Sequence, residues 1–374
     1  MRTRPETNKA PKRQRPIWFH LHFWLSWIAA LPLLVVFVTG VLLSFEKEFY
    51  QWEQPEHYAI QANGPAMSLS EVLQAYEQAQ PPLLLNYLQV PESGDAAYLA
   101  FAREMPSDGS PERSLRAYLN PYTGKITREF DNPTFIRLME DLHRTLTLKK
   151  WGRWSVGASS LILAISSLIG LILWWPMRGR TFSRAWRRGR ALDWHNALGL
   201  IALLPLCVFA LTGITFTWGK FIFQQLDKLQ EQPSRFEAPQ LIVETAPAQE
   251  QWVTLAEAAT WVQANYPDAE IRGVQGTRNA KRPYIFHLKQ HHEFHPGGNL
   301  KLSVAPTSGQ LHSEFDVTTT GPVGWYRRYF YILHTGHPFP WWGRLFWAVS
   351  SLAGLILLVT GVWMSMRRWR RKRA

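Results

Sequence analysis

One apolar segment is written twice in this chain, each time with a histidine at the same end. Residues 20–40 read HLHFWLSWIAALPLLVVFVTG and residues 193–213 read DWHNALGLIALLPLCVFALTG. With His22 set on His195, Pro32 falls on Pro205, Thr39 on Thr212 and Gly40 on Gly213. From Leu21 and from Trp194 onward the copies carry no Asp, Glu, Lys or Arg, and four such stretches exist: Leu21–Phe45, Ser155–Met177, Trp194–Gly219 and Leu345–Met366. A helix needs about 20 mostly apolar residues to cross the hydrocarbon core of a bilayer. Each stretch meets that length, whereas helices buried in a soluble protein are usually shorter and keep a polar face. The pattern predicts an α-helical four-span membrane protein with spans at 17–45, 155–177, 194–219 and 345–366. A mean hydropathy of −0.18 conceals this, because two long polar segments separate the spans.

Charge placement predicts the orientation. Arg2, Arg4, Lys9, Lys12, Arg13 and Arg15 precede the first span, in a basic tail over 1–16. Arg178, Arg180, Arg184, Arg187, Arg188 and Arg190 fill a basic loop over 178–193, and a third cluster, Arg367 to Arg373, closes the chain over 367–374. Positive residues beside spans stay on the cytoplasmic side, so both termini and the 178–193 loop are expected there. Of the 28 acidic residues, all but Glu6 and Asp193 lie in 46–150 and 219–340, the expected external segments. The net charge of +13 and pI near 9.9 follow from these juxtamembrane clusters and call for the lipid bilayer as partner, with no nucleic acid. The basic head and apolar run at the start could be a cleavable signal peptide, but the run is long and recurs in mid-chain, so it reads as retained. The one cysteine, Cys207, lies inside the third span, which leaves no disulfide framework, c-type haem attachment motif or cysteinyl iron–sulfur site. Walker, GxGxxG and HExxH patterns are absent.

The repeat extends beyond the opening segment. LHRTLTLKKWGR at 142–153 matches LHTGHPFPWWGR at 333–344, with His143 on His334 and Arg153 on Arg344. Gly170 then coincides with Gly361. LNPYTGKITREFD at 119–131 resembles VAPTSGQLHSEFD at 304–316, and MSLSEVLQAYEQAQP resembles VTLAEAATWVQANYP. Each half is therefore read as span, external module, amphipathic segment and span. The modules fall at 46–132 and 220–318, the amphipathic segments at 133–154 and 319–344. In each module a helical pattern (70–80; 255–265) precedes alternating strand-like runs such as Tyr98–Phe101 and Tyr284–Leu288. Turns follow at 122–125 and 307–310, with glycine where positive φ is easy.

A helix followed by strands and an NP.TG.I turn resembles a PepSY domain. Two such modules between four spans, with WFHLHFWLSW…TG and LH……WGR, resemble the PepSY-associated transmembrane family of bacterial iron-uptake proteins over nearly the whole chain. Within it, the sequence is similar to ferric-siderophore reductases of the inner membrane that carry b-type haem. The resemblance implies two periplasmic α+β domains and a haem-dependent oxidoreductase. It would deliver electrons to ferric-siderophore in the periplasm and release Fe(II).

Four histidines occupy duplicated positions. His22 and His195 open spans one and three on the cytoplasmic side; His143 and His334 precede spans two and four on the external side. Ionisable groups at membrane depth are functional candidates by default, although interfacial anchoring is the plainer alternative. Neutral imidazole is a good axial ligand for haem iron, and helix bundles build cofactor sites from inward side chains. If the halves pack about a pseudo-two-fold axis, His22 faces His195 and His143 faces His334, and each pair would hold one of two b-type haems. Helix rise puts Gly40 and Gly213 near the external pair, since the 17 residues from His22 to Thr39 cover roughly 25 Å. Gly170 and Gly361 should approach the cytoplasmic pair. There the glycines would admit a flat macrocycle, or simply allow close helix packing. Arg153 and Arg344 could meet haem propionates or lipid headgroups, and Glu140 and Asp141 could support His143 from behind.

Other signals are weaker. His20 and His337 align with Asp193 and Leu146, so the repeat does not support them as ligands. His291, His292 and His295 could converge on a transition metal, or belong to an exposed loop. The external haem is expected beneath a cleft between the two modules and the aromatic stretches at 325–331 and 339–342. No flavin or pyridine-nucleotide module is recognisable, so the electrons would come from quinol or a cytoplasmic reductase. Two other classes fit the same segments. One is a non-redox binding, assembly or protease-regulating protein with the spans as anchors. The other is a siderophore transporter component, against which Pro32 and Pro205 sit in otherwise continuous runs.

Overall fold

The computed structural model describes residues 15–55, 60, 62, 64–79, 82–92, 94, 96–104, 112–130, 134–230, 234–243, 248, 251–336, 339 and 341–373. Most of the N-terminal basic tail lies outside them. The chain separates into a layer of long apolar helices and a layer built on one β-sheet. Helices α1 (Arg15–Ile28), α2 (Ala30–Leu43) and α3 (Glu46–Glu53) come first. Helix α4 (Leu69–Glu77) and strands β1 (Leu83–Gln89), β2 (Tyr98–Glu104), β3 (Arg113–Leu119) and β4 (Ile126–Phe130) follow. Next are α5 (Phe135–Thr145), α6 (Lys149–Trp174), a 3₁₀ turn at Trp175–Arg180, and α7 (Thr181–Arg188). The second half runs α8 (Ala191–Leu226), α9 (Leu255–Asn265), β5 (Ala269–Gln275), β6 (Tyr284–Gln290), β7 (Leu300–Val304), β8 (Leu311–Asp316), α10 (Gly321–Thr335) and α11 (Trp341–Arg373). The same order of elements thus occurs in both halves, and helices α4 and α9 fall on the patterns read at 70–80 and 255–265.

Three helices are long and apolar enough to cross a membrane, and a bent pair makes a possible fourth. That pair, α1 and α2, meets at 65°, so the first stretch is not the continuous run expected. The reason is local. Pro32 has no N–H to give the Ile28 carbonyl, and its ring crowds that turn, so the helix breaks at Ala29. Pro205 lies inside α8, which remains one helix through it and bends instead at Trp218 (φ −117°, ψ 17°). The basic loop expected at 178–193 is also largely helical, through the 3₁₀ turn and α7.

Helix α6 packs along α8, α11 along α2 and α8, and α1 along α6. Small residues permit the approach. A Cβ on Gly213 would stand 2.5 Å from Ser160 Oγ, and one on Gly157 2.5 Å from Thr217. Leu33, Phe37, Leu206 and Ala353 fill the centre, while Leu31, Ile201 and Leu204 point outward and are mostly exposed, as a lipid-facing surface requires.

The two modules do not stand as separate domains. Their strands form one eight-stranded antiparallel sheet, ordered β4-β3-β2-β1-β5-β6-β7-β8. Strands β1 and β5 make the seam through Leu88↔Val274 and Gln89↔Gly273. Each seam strand carries a bulge, at Asn86 and at Arg272, which re-aims neighbouring side chains. Tyr87 then lies across Gly273, where a Cβ would meet its hydroxyl at 2.2 Å. One face of the sheet is closed by α4 and α9 over Leu73, Leu88, Phe286 and Leu302. Both helices begin on a capping box, Ser68 with Glu71 and Thr254 with Glu257. The expected turns are present, with Gly124 at φ +64° and Gly309 at φ +69°. The strands of the two modules therefore run on without a gap at the β1–β5 seam.

Candidate functional site

Two short amphipathic helices place the external histidines. Helix α5 starts on Thr134, whose hydroxyl accepts from the Arg137 amide, and stops where Leu146 turns left-handed (φ 50°). Helix α10 stops in the same way at Gly336 (φ 67°). His143 and His334 occupy the last turn of each. Helix α5 packs on α2 and α10 packs on α8, which brings the two imidazoles together with ring centres 6.0 Å apart at 69°. His143 Nδ1 is 3.0 Å from Thr39 Oγ1, and His334 Nδ1 is 2.7 Å from Thr212 Oγ1.

These hydrogen bonds fix the tautomer. Thr39 donates its hydroxyl proton to the Val35 carbonyl at 2.7 Å, and Thr212 donates to the Val208 carbonyl at 2.6 Å. Each threonine oxygen therefore accepts, and each Nδ1 must carry the proton. Nε2 is left as a bare lone pair on both rings. Burial, reinforced for His143 by Arg144 and for His334 by the facing imidazole, pushes His143 down to about 4 and His334 to about 3. Both rings stay neutral at physiological pH, the state in which imidazole binds metal.

The second pair follows the same logic with different partners. His22 Nδ1 lies 3.1 Å from the Ser166 carbonyl, which can only accept, and 2.9 Å from the Ser166 hydroxyl. His195 Nδ1 is 3.0 Å from Thr360 Oγ1, whose proton goes to the Ile356 carbonyl at 2.7 Å. His22 lies within electrostatic range of His195. All four histidines are thus Nδ1–H tautomers held by a neighbouring helix.

Three of the four glycines lie beside these rings, and Gly213 does not. A Cβ on Gly40 would be 3.4 Å from His143 Cε1; on Gly170, 3.6 Å from His22 Cε1; on Gly361, 3.6 Å from His195 Cε1. Gly40 and Gly213 also meet serines of facing helices, Ser351 Oγ at 2.9 Å and Ser160 Oγ at 2.5 Å. Close helix packing and closeness to the histidines therefore coincide at Gly40.

The donor set fits an iron porphyrin. Two imidazoles gripping one metal from opposite sides, with metal–nitrogen bonds of about 2 Å, keep their ring centres about 6 Å apart. His143 and His334 have that spacing. Outer hydrogen bonds to ligating histidines fix ring orientation, and here Thr39, Thr212, Ser166 and Thr360 supply them. The sequence reading placed Thr39 and Thr212 by the repeat without giving them this role, and did not single out Ser166 or Thr360. Their signal is the Thr-Gly dipeptide at 39–40, 212–213 and 360–361, in which the threonine binds one imidazole's Nδ1. The fourth position reads Ile169-Gly170, and Ser166 takes the missing role.

Other candidates go elsewhere. Arg344 is committed to Glu48 at 2.7 Å, and Arg153 is exposed. Glu140 pairs with Arg144 and Asp141 accepts from Thr145, so neither holds His143 by a hydrogen bond, though the Glu140 charge acts on it. His20 is exposed and His337 lies outside the described residues. His291 and His292 are exposed while His295 is buried and accepts from the Gly297 amide, so the three do not converge. Among the described residues no group of three or more His, Cys, Asp or Glu could hold a metal ion. Trp151, Trp154, Trp341 and Trp342 project outward, as an aromatic belt does.

No curated protein matches the chain. The family model for the PepSY-associated TM region matches residues 19–368. Together with the three long apolar helices and the bent pair, this places the chain as a membrane protein of the PepSY-associated transmembrane family.

Proposed function

We propose that this chain is a four-span oxidoreductase of the bacterial inner membrane that holds two b-type haems and reduces ferric-siderophore in the periplasm. The reading rests on His143 and His334, brought to 6.0 Å with both Nδ1 protons tied to the spans. His22 with His195 would hold the second haem nearer the cytoplasm. Bound haem would supply reversible one-electron exchange at iron. The chain's own part is to hold four neutral imidazoles, orient them through Thr39, Thr212, Ser166 and Thr360, and keep water from the buried rings.

The two halves are read as a duplication about a pseudo-two-fold axis at the β1–β5 seam. Basic clusters at the helix ends favour cytoplasmic termini and a periplasmic sheet. Electrons would enter from quinol or a cytoplasmic reductase. Ferric iron prefers hard oxygen donors, so its reduction loosens the chelate and frees Fe(II) for import.

The test is the visible spectrum and pyridine haemochrome of the purified protein. Two haems per chain, with a Soret band that moves on reduction, support the reading. A folded, colourless preparation that takes up no added haem overturns it. Thr39→Val keeps the shape of the side chain but removes the acceptor for His143 Nδ1–H. Haem affinity at that site should fall about 10- to 100-fold, read by competition with apomyoglobin, while the other haem is retained.

A further inference from the structure

The face of the sheet opposite α4 and α9 carries polar side chains that the four histidines do not use. His287 on β6 pairs across the ladder with Lys301 on β7, and Lys301 with Phe315 on β8. Paired residues share a face, so a cation sits on this one, one strand in from the β8 edge. Tyr87 lies 5.5 Å from the His287 ring. From α10, Arg328 reaches the same region and donates to the carbonyls of Gly297 and Gly298. Its charge acts on both His287 and Lys301.

Lys301 and Arg328 repel each other, and neither has a carboxylate salt bridge among the described residues. The Lys301 ammonium sits 5.0 Å over the Phe236 ring. Burial first, then Arg328 and Arg235, pushes Lys301 down to about 8. The nearest acid to Arg328, Glu293, already accepts from the Gln290 and Asn299 amides. Two further groups lack partners. Ser303, two residues along β7 on the same side as Lys301, is wholly buried with no hydrogen bond at Oγ, and Arg328 Nε is likewise unpaired. Buried polar groups are almost always satisfied, and unpaired buried cations are costly. A set of orphan donors around two repelling cations is the shape of a site that awaits an anion.

The region has a mouth. The segment around Phe236 lies against this face, with the Phe236 ring 5.5 Å from that of Phe315 and tilted by 58°. Beside it lies an open cavity of about 280 Å³ whose lining includes Arg235, Arg282 and one acid, Glu237. The volume suits the charged face of a chelate rather than the whole of one.

We propose that Lys301 and Arg328, with Arg235 and Arg282 at the entrance, seat an anionic oxygen-donor chelate of a trivalent metal. The inference deepens the reductase reading and rests on it for the purpose of binding. It adds that the substrate carries net negative charge and docks on the sheet's inner face. Arg328 and His334 share α10 six residues apart, about 9 Å along the axis. A chelate held there would lie within about two turns of α10 from His334.

Gallium(III) chelates separate recognition from electron transfer, because gallium is not reduced. Binding of gallium tris-catecholate, gallium tris-hydroxamate and inorganic phosphate to the full-length protein in nanodiscs would be measured by calorimetry. The anionic tris-catecholate should bind at least about tenfold tighter than the neutral tris-hydroxamate, and more weakly as salt rises. Lys301→Met and Arg235→Gln should each cost about tenfold for the anionic chelate only, and Lys301→Arg should restore most of it. Haem content, measured on the same samples, should not change in any variant. Unchanged affinity in both charge-removing variants, equal binding of the two chelates, or phosphate binding as tightly as the tris-catecholate each overturns the proposal. Charge-dependent gallium binding in a protein without haem would instead overturn the reductase reading and leave this one standing.

Discussion

On the di-haem reading, replacing His143 by Ala should remove one of two haem equivalents and, with it, the reduction of external ferric chelate. The ring is half-buried, its Nδ1 proton is spent on Thr39, and its partner His334 stands 6.0 Å away. Nothing nearby can replace it: Glu140 and Asp141 are engaged with Arg144 and Thr145. His334→Ala should give the same result, because each pair needs both imidazoles. His22→Ala and His195→Ala should keep the external haem but stop its reduction by the native donor. His20→Ala, an exposed ring next to the true candidate, should change nothing. Pyridine haemochrome per polypeptide reads the first three outcomes, and stopped-flow spectroscopy reads the donor step. Full haem content in both His143→Ala and His334→Ala would remove the external site from the account.

Much of this site is legible in the letters, and the reason is repetition. A single membrane histidine has many explanations. Two pairs at matching registers, three of the four rings opposite a Thr-Gly dipeptide, have few. The depth estimate from helix rise puts Gly40 with His143 and Gly170 with His22, and the structure places each beside that ring. Repetition also misleads. Pro32 and Pro205 align, yet only the first breaks its helix. Whether a helix tolerates the lost hydrogen bond depends on what packs against it, which no local pattern records. The seam between β1 and β5 is hidden for a similar reason. Each module reads as a complete α+β unit, and nothing in either strand announces that its edge pairs with the other's. Edge pairing is a property of the assembled layer. Ser166 is missed because it departs from the repeat that exposes Thr360.

Gly152→Ala should be the most damaging single methyl in the chain. The WGR motif places this glycine in the first turn of α6, directly behind the end of α5. A Cβ there would stand 1.5 Å from the Thr145 carbonyl oxygen and 2.5 Å from its carbon. Both are backbone atoms, so no rotamer change relieves the overlap. The connection has little slack, since Leu146, Thr147 and Lys149 already hold positive φ without being glycine, a conformation that costs energy at each position. The methyl must therefore push away the last turn of α5, which carries His143 two residues before Thr145. The expected cost is about 3 kcal/mol, seen as a lower midpoint in thermal unfolding followed by tryptophan fluorescence. Because His143 moves off Thr39, the external haem should be lost at a temperature where the fold survives. Gly343, the same letter in the second WGR, would bring a Cβ to 2.0 Å from Phe339 Cβ. Gly343→Ala should act in the same direction through His334, because Phe339 Cβ is fixed to its backbone and no rotamer change moves it. Gly179→Ala is the control, with nothing within 4 Å of the added carbon. A Gly152→Ala protein with the parental midpoint and both haems would show that the α5–α6 connection does not hold His143 in place.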